Sequence, residues 1–103
     1  MPEHTSRWYV YVLRCDDDSL YTGATNNLGK RMAAHRSGKG SKYVRSRLPF
    51  EVVATWPCIP DSRSHALRVE ARFKKLKKAE KEEIVSNSEP WVGVYEVHIR
   101  GSA

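Results

Sequence analysis

The sequence predicts a small α+β domain, a central antiparallel sheet flanked by helices, and three observations carry that prediction. Runs rich in β-branched and aromatic residues recur at 8–14, 20–25 and 50–56, each closed by turn-forming residues, an arginine or prolines. Segments with capping residues and apolar positions at helical spacing follow them, at 26–36 and 61–83. The chain has 103 residues, 40% of them hydrophobic, which suits one modest core and leaves little room for a second domain.

Each element has its own justification. Trp-Tyr-Val-Tyr-Val-Leu-Arg at 8–14 reads as a buried strand. Asp16, Asp17, Asp18 and Ser19 make the turn, because such side chains hydrogen-bond their own backbone. Residues 20–25 return, so the pair is a hairpin. Asn26 and Asn27 offer N-caps for a helix running to about Arg36, with Leu28 and Met32 as its core contacts. Gly38 and Gly40 then break it into a flexible basic loop. Residues 42–47 read as a short helical turn ended by Pro49. Phe-Glu-Val-Val-Ala-Thr-Trp at 50–56 is the third strand. Asp61, Ser62 or Ser64 caps the next helix, along which Ala66, Val69, Phe73 and Leu76 recur. The Lys/Glu-rich stretch 74–83 continues it with a break near Ala79, its charges forming a solvated face with i,i+4 pairs. Residues 86–90 are a linker, and 91–100 alternate like a strand that adds to the sheet edge.

Composition sets the function classes. A mean hydropathy of -0.63 and no apolar run near the ~20 residues of a membrane helix argue for a soluble protein with no membrane partner. Residues 1–7 lack the apolar stretch of a signal peptide, so a cytoplasmic location is expected. Cys15 and Cys58, far apart and in no CxxC pattern, read as reduced, partly buried thiols. His4, His35, His65 and His98 are scattered without ligand spacing, which argues against a histidine metal site. The net charge of +6 points to a polyanionic partner. Its distribution says more. From Ser19 to Phe50 there is no acid, while Lys30, Arg31, Arg36, Lys39, Lys42, Arg45 and Arg47 fall in that stretch beside Tyr43. A one-sign block of this kind suits a surface that tracks phosphates.

Four features carry chemistry. Tyr11 and Tyr21 lie on the two strands of one hairpin, close to cross-strand partners; alone they read equally as a packed aromatic pair. Arg31 and His35, at i and i+4, share a helical face where one would hold a phosphate and the other donate to an oxygen or shuttle a proton; the alternative is two solvated polar residues. Glu70 sits at the border of an apolar stripe, so it needs either an arginine partner or a hard divalent cation, and of the carboxylates it is the one expected as metal ligand. Gly23 permits close backbone approach at a strand end.

Tyr9-Val10-Tyr11 followed by Tyr21-Thr22-Gly23 resembles the two halves of the GIY-YIG nuclease signature, with Arg31, His35 and Glu70 in order behind them. The resemblance covers about residues 8–85, a single catalytic domain, and leaves 86–103 as linker and tail; it is strongest to the small stand-alone bacterial members. It implies a three-stranded antiparallel sheet with flanking helices, one divalent ion (Mg²⁺ or Mn²⁺) held at Glu70, and hydrolysis of nucleic-acid phosphodiesters, DNA before RNA, in repair or processing. Tyr11, Tyr21, Arg31, His35 and Glu70 would be catalytic, and Lys30, Arg36, Lys39, Lys42, Arg45 and Arg47 would bind nucleic acid. The chain departs from the pattern in Tyr9 for the first glycine and Thr22 for the isoleucine. Ala24 stands where some relatives carry a lysine, whose tuning is then expected from Lys30 or Lys42. No separate DNA-binding domain is expected, so a protein partner is a candidate source of specificity.

In that reading Tyr11 takes the proton from water and Tyr21 positions the water, with the reverse assignment also open. A phenol with a pKa of about 10 is ionised in roughly one molecule in a thousand at pH 7, so either neighbouring cations lower it or the metal shares the work. Two other readings compete. One is a module that binds nucleic acid without cutting it. The other is an adaptor whose segment 91–100 pairs with another chain.

Overall fold

The computed structural model describes residues 7–87, so the strand expected at 91–100 lies outside the described residues. Seven elements follow in order: β1 (Tyr9–Cys15), β2 (Leu20–Thr25), α1 (Leu28–Arg36), α2 (Lys42–Arg45), β3 (Phe50–Pro57), α3 (Arg63–Lys74) and α4 (Lys78–Ser86). The strands form one antiparallel sheet in the order β2-β1-β3. The fold is the expected α+β sheet with helices on both faces.

The central place of β1 explains its continuous apolar run, since both faces of a middle strand are buried. Val10 and Val12 face Ala54, Trp56, Ala66, Val69, Phe73 and Ile84, so α3 and α4 close that side. Tyr11, Leu13 and Cys15 face the other way, against Met32 and Val44 of α1 and α2. Phe73 is fully buried beside Trp56. Burial of a side chain of that size contributes about 2–3 kcal/mol.

β3 carries a bulge that sequence alternation does not reveal. Val12 opposes Ala54 and Leu13 opposes Val52, so Val53 has no partner. Without that extra residue Phe50 would share a face with Ala54 and Trp56. With it, Ala54 and Trp56 join one core while Phe50 packs beneath Tyr11 and Leu13 in the other.

Caps decide the helix ends. Asn27 caps α1 and Ser41 caps α2, each accepting from a backbone N–H three residues on. Lys39 N–H bonds Ala34 O at the end of α1 while Gly38 takes φ +82°, a left-handed C-terminal cap that glycine adopts without strain. Of the three cap candidates for α3, Ser62 is the one used; Asp61 instead accepts from Trp8 N–H at 2.7 Å and ties down the start of β1. The helix break falls at 75–77, before the expected Ala79. There Leu76 packs into the core, and Glu80 accepts from the Lys77 N–H, restarting the helix at Lys78. Glu82 of α4 pairs with Arg14 of β1 through two bonds of 2.7 and 2.9 Å, so one charge of this stretch spans to the sheet. Cys15 and Cys58 are buried free thiols, as expected. No helix among the described residues is long and apolar enough to cross a membrane.

Candidate active site

The hairpin register places the tyrosines. Tyr11 lies opposite Gly23 and Leu13 opposite Tyr21, so the two tyrosines are diagonal neighbours on one face, not direct partners. Their ring centroids are 6.4 Å apart at 44°. Diagonal positions still allow aromatic contact. Gly23 is glycine for a stronger reason than a strand end. A Cβ there would overlap the hydroxyl and Cζ of Tyr11, so the phenol crosses β2 through the space the missing side chain leaves.

α1 sets His35 under both rings. His35 is buried, its Nε2 lies 2.8 Å from the Tyr11 hydroxyl, and its ring meets Tyr11, Tyr21 and Phe50 edge-on. Gly40 of the following loop lies against His35 Nδ1, where a Cβ would collide with the imidazole. Nδ1 is buried with no hydrogen-bond partner among the described residues. An orphaned lone pair is tolerated better than an orphaned N–H, so the proton belongs on Nε2, which donates to the Tyr11 oxygen. Burial, with the nearby Arg31 charge, holds His35 below the ordinary histidine range, so it is neutral at pH 7. The hydroxyl proton of Tyr11 is then directed away from His35.

The Tyr11 phenol is pushed above its ordinary value, first by burial and then by Tyr21 and Glu70, while Arg31 pulls it down. Arg31 pulls the phenol down, as expected of a neighbouring cation, but does not overcome desolvation of the buried ring, which leaves the other expected help, from a metal. These same influences show that the structure brings the five predicted residues together. His35 bonds the Tyr11 hydroxyl, and Tyr21, Arg31 and Glu70 all act on it electrostatically.

Glu70 comes from α3, which packs against the edge strand β2. Its partner is not arginine but Lys74, at 3.0 Å one turn on. Lys74 Nζ also lies 5.8 Å from the centroid of the Tyr21 ring. Since Tyr21 belongs to the face covered by α1 and α2, this end of α3 reaches around β2 to the tyrosines. Among the described residues the cation beside the second tyrosine is thus Lys74, which the sequence did not single out. Among the described residues no group of three or more His, Cys, Asp or Glu side chains converges. A lone, half-buried carboxylate does not suit zinc. It suits a hard, hydrated ion that binds through one or two carboxylates and completes its shell with water and substrate phosphate.

The basic residues divide in two. Lys30, Arg36, Lys39, Lys42 and Arg45 are exposed around α1 and α2. Arg47 is not free in the same way: its guanidinium bonds Asp17 at 2.9 Å, donates to Tyr43 O and lies 3.8 Å from the Tyr43 ring centroid. Tyr43 in turn stacks on Tyr21 at 5.7 Å and 26°. The sequence marked Tyr43 only as an aromatic in a basic block; its contact with Tyr21 depends on where the 37–41 loop lands.

The sequence model of the GIY-YIG catalytic domain matches residues 7–83. This chain belongs to the GIY-YIG family. It is 48% identical over 81 residues to a UPF0213 protein of Oceanobacillus iheyensis, covering 79% of this chain and 92% of that one. It resembles the solution structure of a UPF0213 protein from Bacillus halodurans at 46% identity and a TM-score of 0.51, over 78% of this chain and 83% of that one. A second solution structure, of a protein from E. faecalis, matches at 36% identity and a TM-score of 0.52, over 84% and 90% of the two chains. GIY-YIG domains form a nuclease superfamily. In this GIY-YIG domain the two half-signatures are adjacent antiparallel strands, and the glycine of the second half accommodates the tyrosine of the first. The position of the relatives' lysine, Ala24, packs toward the opposite core.

Proposed function

We propose that the protein is a metal-dependent endonuclease that hydrolyses nucleic-acid phosphodiesters, with DNA the first substrate class and RNA the second. The observation that carries the reading is the Tyr11 hydroxyl, which is bonded by His35 and within electrostatic reach of Tyr21, Arg31 and Glu70. Glu70 would hold the divalent ion, which would supply Lewis-acid stabilisation of developing negative charge when bound.

The chain's own residues do the rest. Neutralising Glu70 would remove one of the influences that hold the Tyr11 phenol protonated and leave Arg31 pulling toward the phenolate against burial. His35 Nε2–H steadies that oxygen by donating to it. Once the Tyr11 phenol has given its own proton to solvent, its oxygen accepts the proton of the attacking water, and Tyr21 positions that water. Tyr11 is assigned as base over Tyr21 because its hydroxyl is the one bonded by His35. Arg31, exposed at the rim, neutralises a non-bridging oxygen as charge builds. The exposed Lys30, Arg36, Lys39, Lys42 and Arg45 hold flanking phosphates. A partner protein is a candidate source of sequence or structure selectivity.

One observation favours a second reading. Burial holds Tyr11 far from ionisation in the free protein, as a module that binds without cutting would allow. Incubation with single-stranded, nicked and branched DNA and with RNA, in Mg²⁺, Mn²⁺ or EDTA, separates the two. The nuclease reading expects product only with metal. Salt-sensitive binding with no product in any metal would establish the module instead.

A further inference from the structure

Resting on Glu70 as the metal ligand, we propose that Lys74 is a resident cation that holds the Glu70 carboxylate in the metal-free protein and must leave it for a divalent ion to bind. Lys74 Nζ is 3.0 Å from Glu70 Oε2, so it occupies part of the carboxylate that a metal would need. The two side chains differ in exposure, 17% for Glu70 and 49% for Lys74, so the carboxylate is fixed while the ammonium sits on a flexible stem with open solvent to move into. In that same position the ammonium lies 5.8 Å from the centroid of the Tyr21 ring, which remains an attractive neighbour when the carboxylate is given up. Glu70 needs such a counter-charge. It stands at the edge of a site built to receive a polyanion, where a bare carboxylate would repel phosphate. An exchangeable lysine screens it until the ion arrives, and an i,i+4 pair is weak enough to be displaced.

This makes Lys74 a competitor for the metal. Mn²⁺ binding, followed by the EPR signal of the free ion at pH 7 with full-length protein, tests it without reference to cleavage. Lys74→Met, which keeps the aliphatic stem, is expected to bind Mn²⁺ roughly threefold to tenfold more tightly than wild type, because a pair of this kind contributes up to about 1 kcal/mol and its removal also lifts cation–cation repulsion. Lys74→Arg, with its two-pronged grip on a carboxylate, is expected to bind more weakly than wild type. Glu70→Gln is expected to lose the site. Equal or weaker Mn²⁺ affinity in Lys74→Met, with Glu70→Gln still losing the site, overturns the role of Lys74 and leaves Glu70 as ligand. Undiminished Mn²⁺ affinity in Glu70→Gln overturns the ligand assignment itself, and the role of Lys74 with it.

Discussion

Gly23→Ala places a methyl group where the Tyr11 phenol crosses β2, and the ring cannot back away because His35 and Tyr21 hold its other sides. Overpacking of a filled site costs about 1–3 kcal/mol, so urea unfolding is expected to show a loss of that size, with cleavage falling further than stability. An unchanged midpoint would mean that the phenol lies elsewhere. Much of the candidate site is legible residue by residue: the tyrosines, Arg31, His35 and Glu70 are singled out by type and position and gathered into one set by the GIY-YIG resemblance. In the fold His35 bonds the Tyr11 hydroxyl while the others act on it electrostatically. The environment of each is less legible. The sequence shows that Tyr11 has cationic neighbours but not that its burial outweighs them. It likewise marks Gly40 as a loop breaker but not as the space that His35 fills. Both depend on contacts between residues far apart in the chain.

At the scale of elements, the basic face is formed by α1, α2 and the loop between them, while Arg47 belongs to a brace running from the Asp17 turn through Tyr43 to Tyr21. The two roles predict different phenotypes. Replacing Lys39, Lys42 or Arg45 by Gln is expected to weaken DNA binding and to reduce the salt slope by about one per phosphate contact removed. Arg47→Ala is expected to leave that slope near the wild-type value and to slow cleavage, since it frees Tyr43 and with it Tyr21. Salt-dependent fluorescence anisotropy separates them; an equal slope change in both classes would show that Arg47 is one more phosphate contact. Element order and two of the helix caps follow from the sequence because Asn27, and one of the offered candidates before α3, act locally. The bulge at Val53 does not, because it answers to two cores at once. The break at 75–77 also escapes periodicity, since the pull of the core on Leu76 decides it.

For the molecule as a whole, burial of a neutral His35 between the sheet and α1 links stability to pH. The proton affinity of His35 is lowered on folding, so the unfolded chain takes up that proton first as pH falls through the ordinary histidine value of about 6.5. The His35 contribution is therefore full above that pH and declines as the solution is acidified toward the depressed folded value, with Arg31 and Tyr11 the groups that face it. Stability measured between pH 7.5 and 5 is expected to fall on acidification, and His35→Gln to flatten the curve; an equal slope in both proteins would place the cause elsewhere. Asp17 and Glu82, held low by Ser19 and Arg14, lose their contributions only below the carboxylate range and so do not confuse the window. In the proposed mechanism the Tyr11 hydroxyl oxygen is the base on which the other groups act. Single-turnover cleavage of nicked or branched DNA by Tyr11→Phe, in saturating Mg²⁺ or Mn²⁺, therefore tests the account most directly. Phe keeps the ring and removes only that oxygen. The account predicts a rate at least about a hundredfold below wild type with DNA affinity and fold retained. Cleavage at the wild-type rate by folded Tyr11→Phe would contradict it.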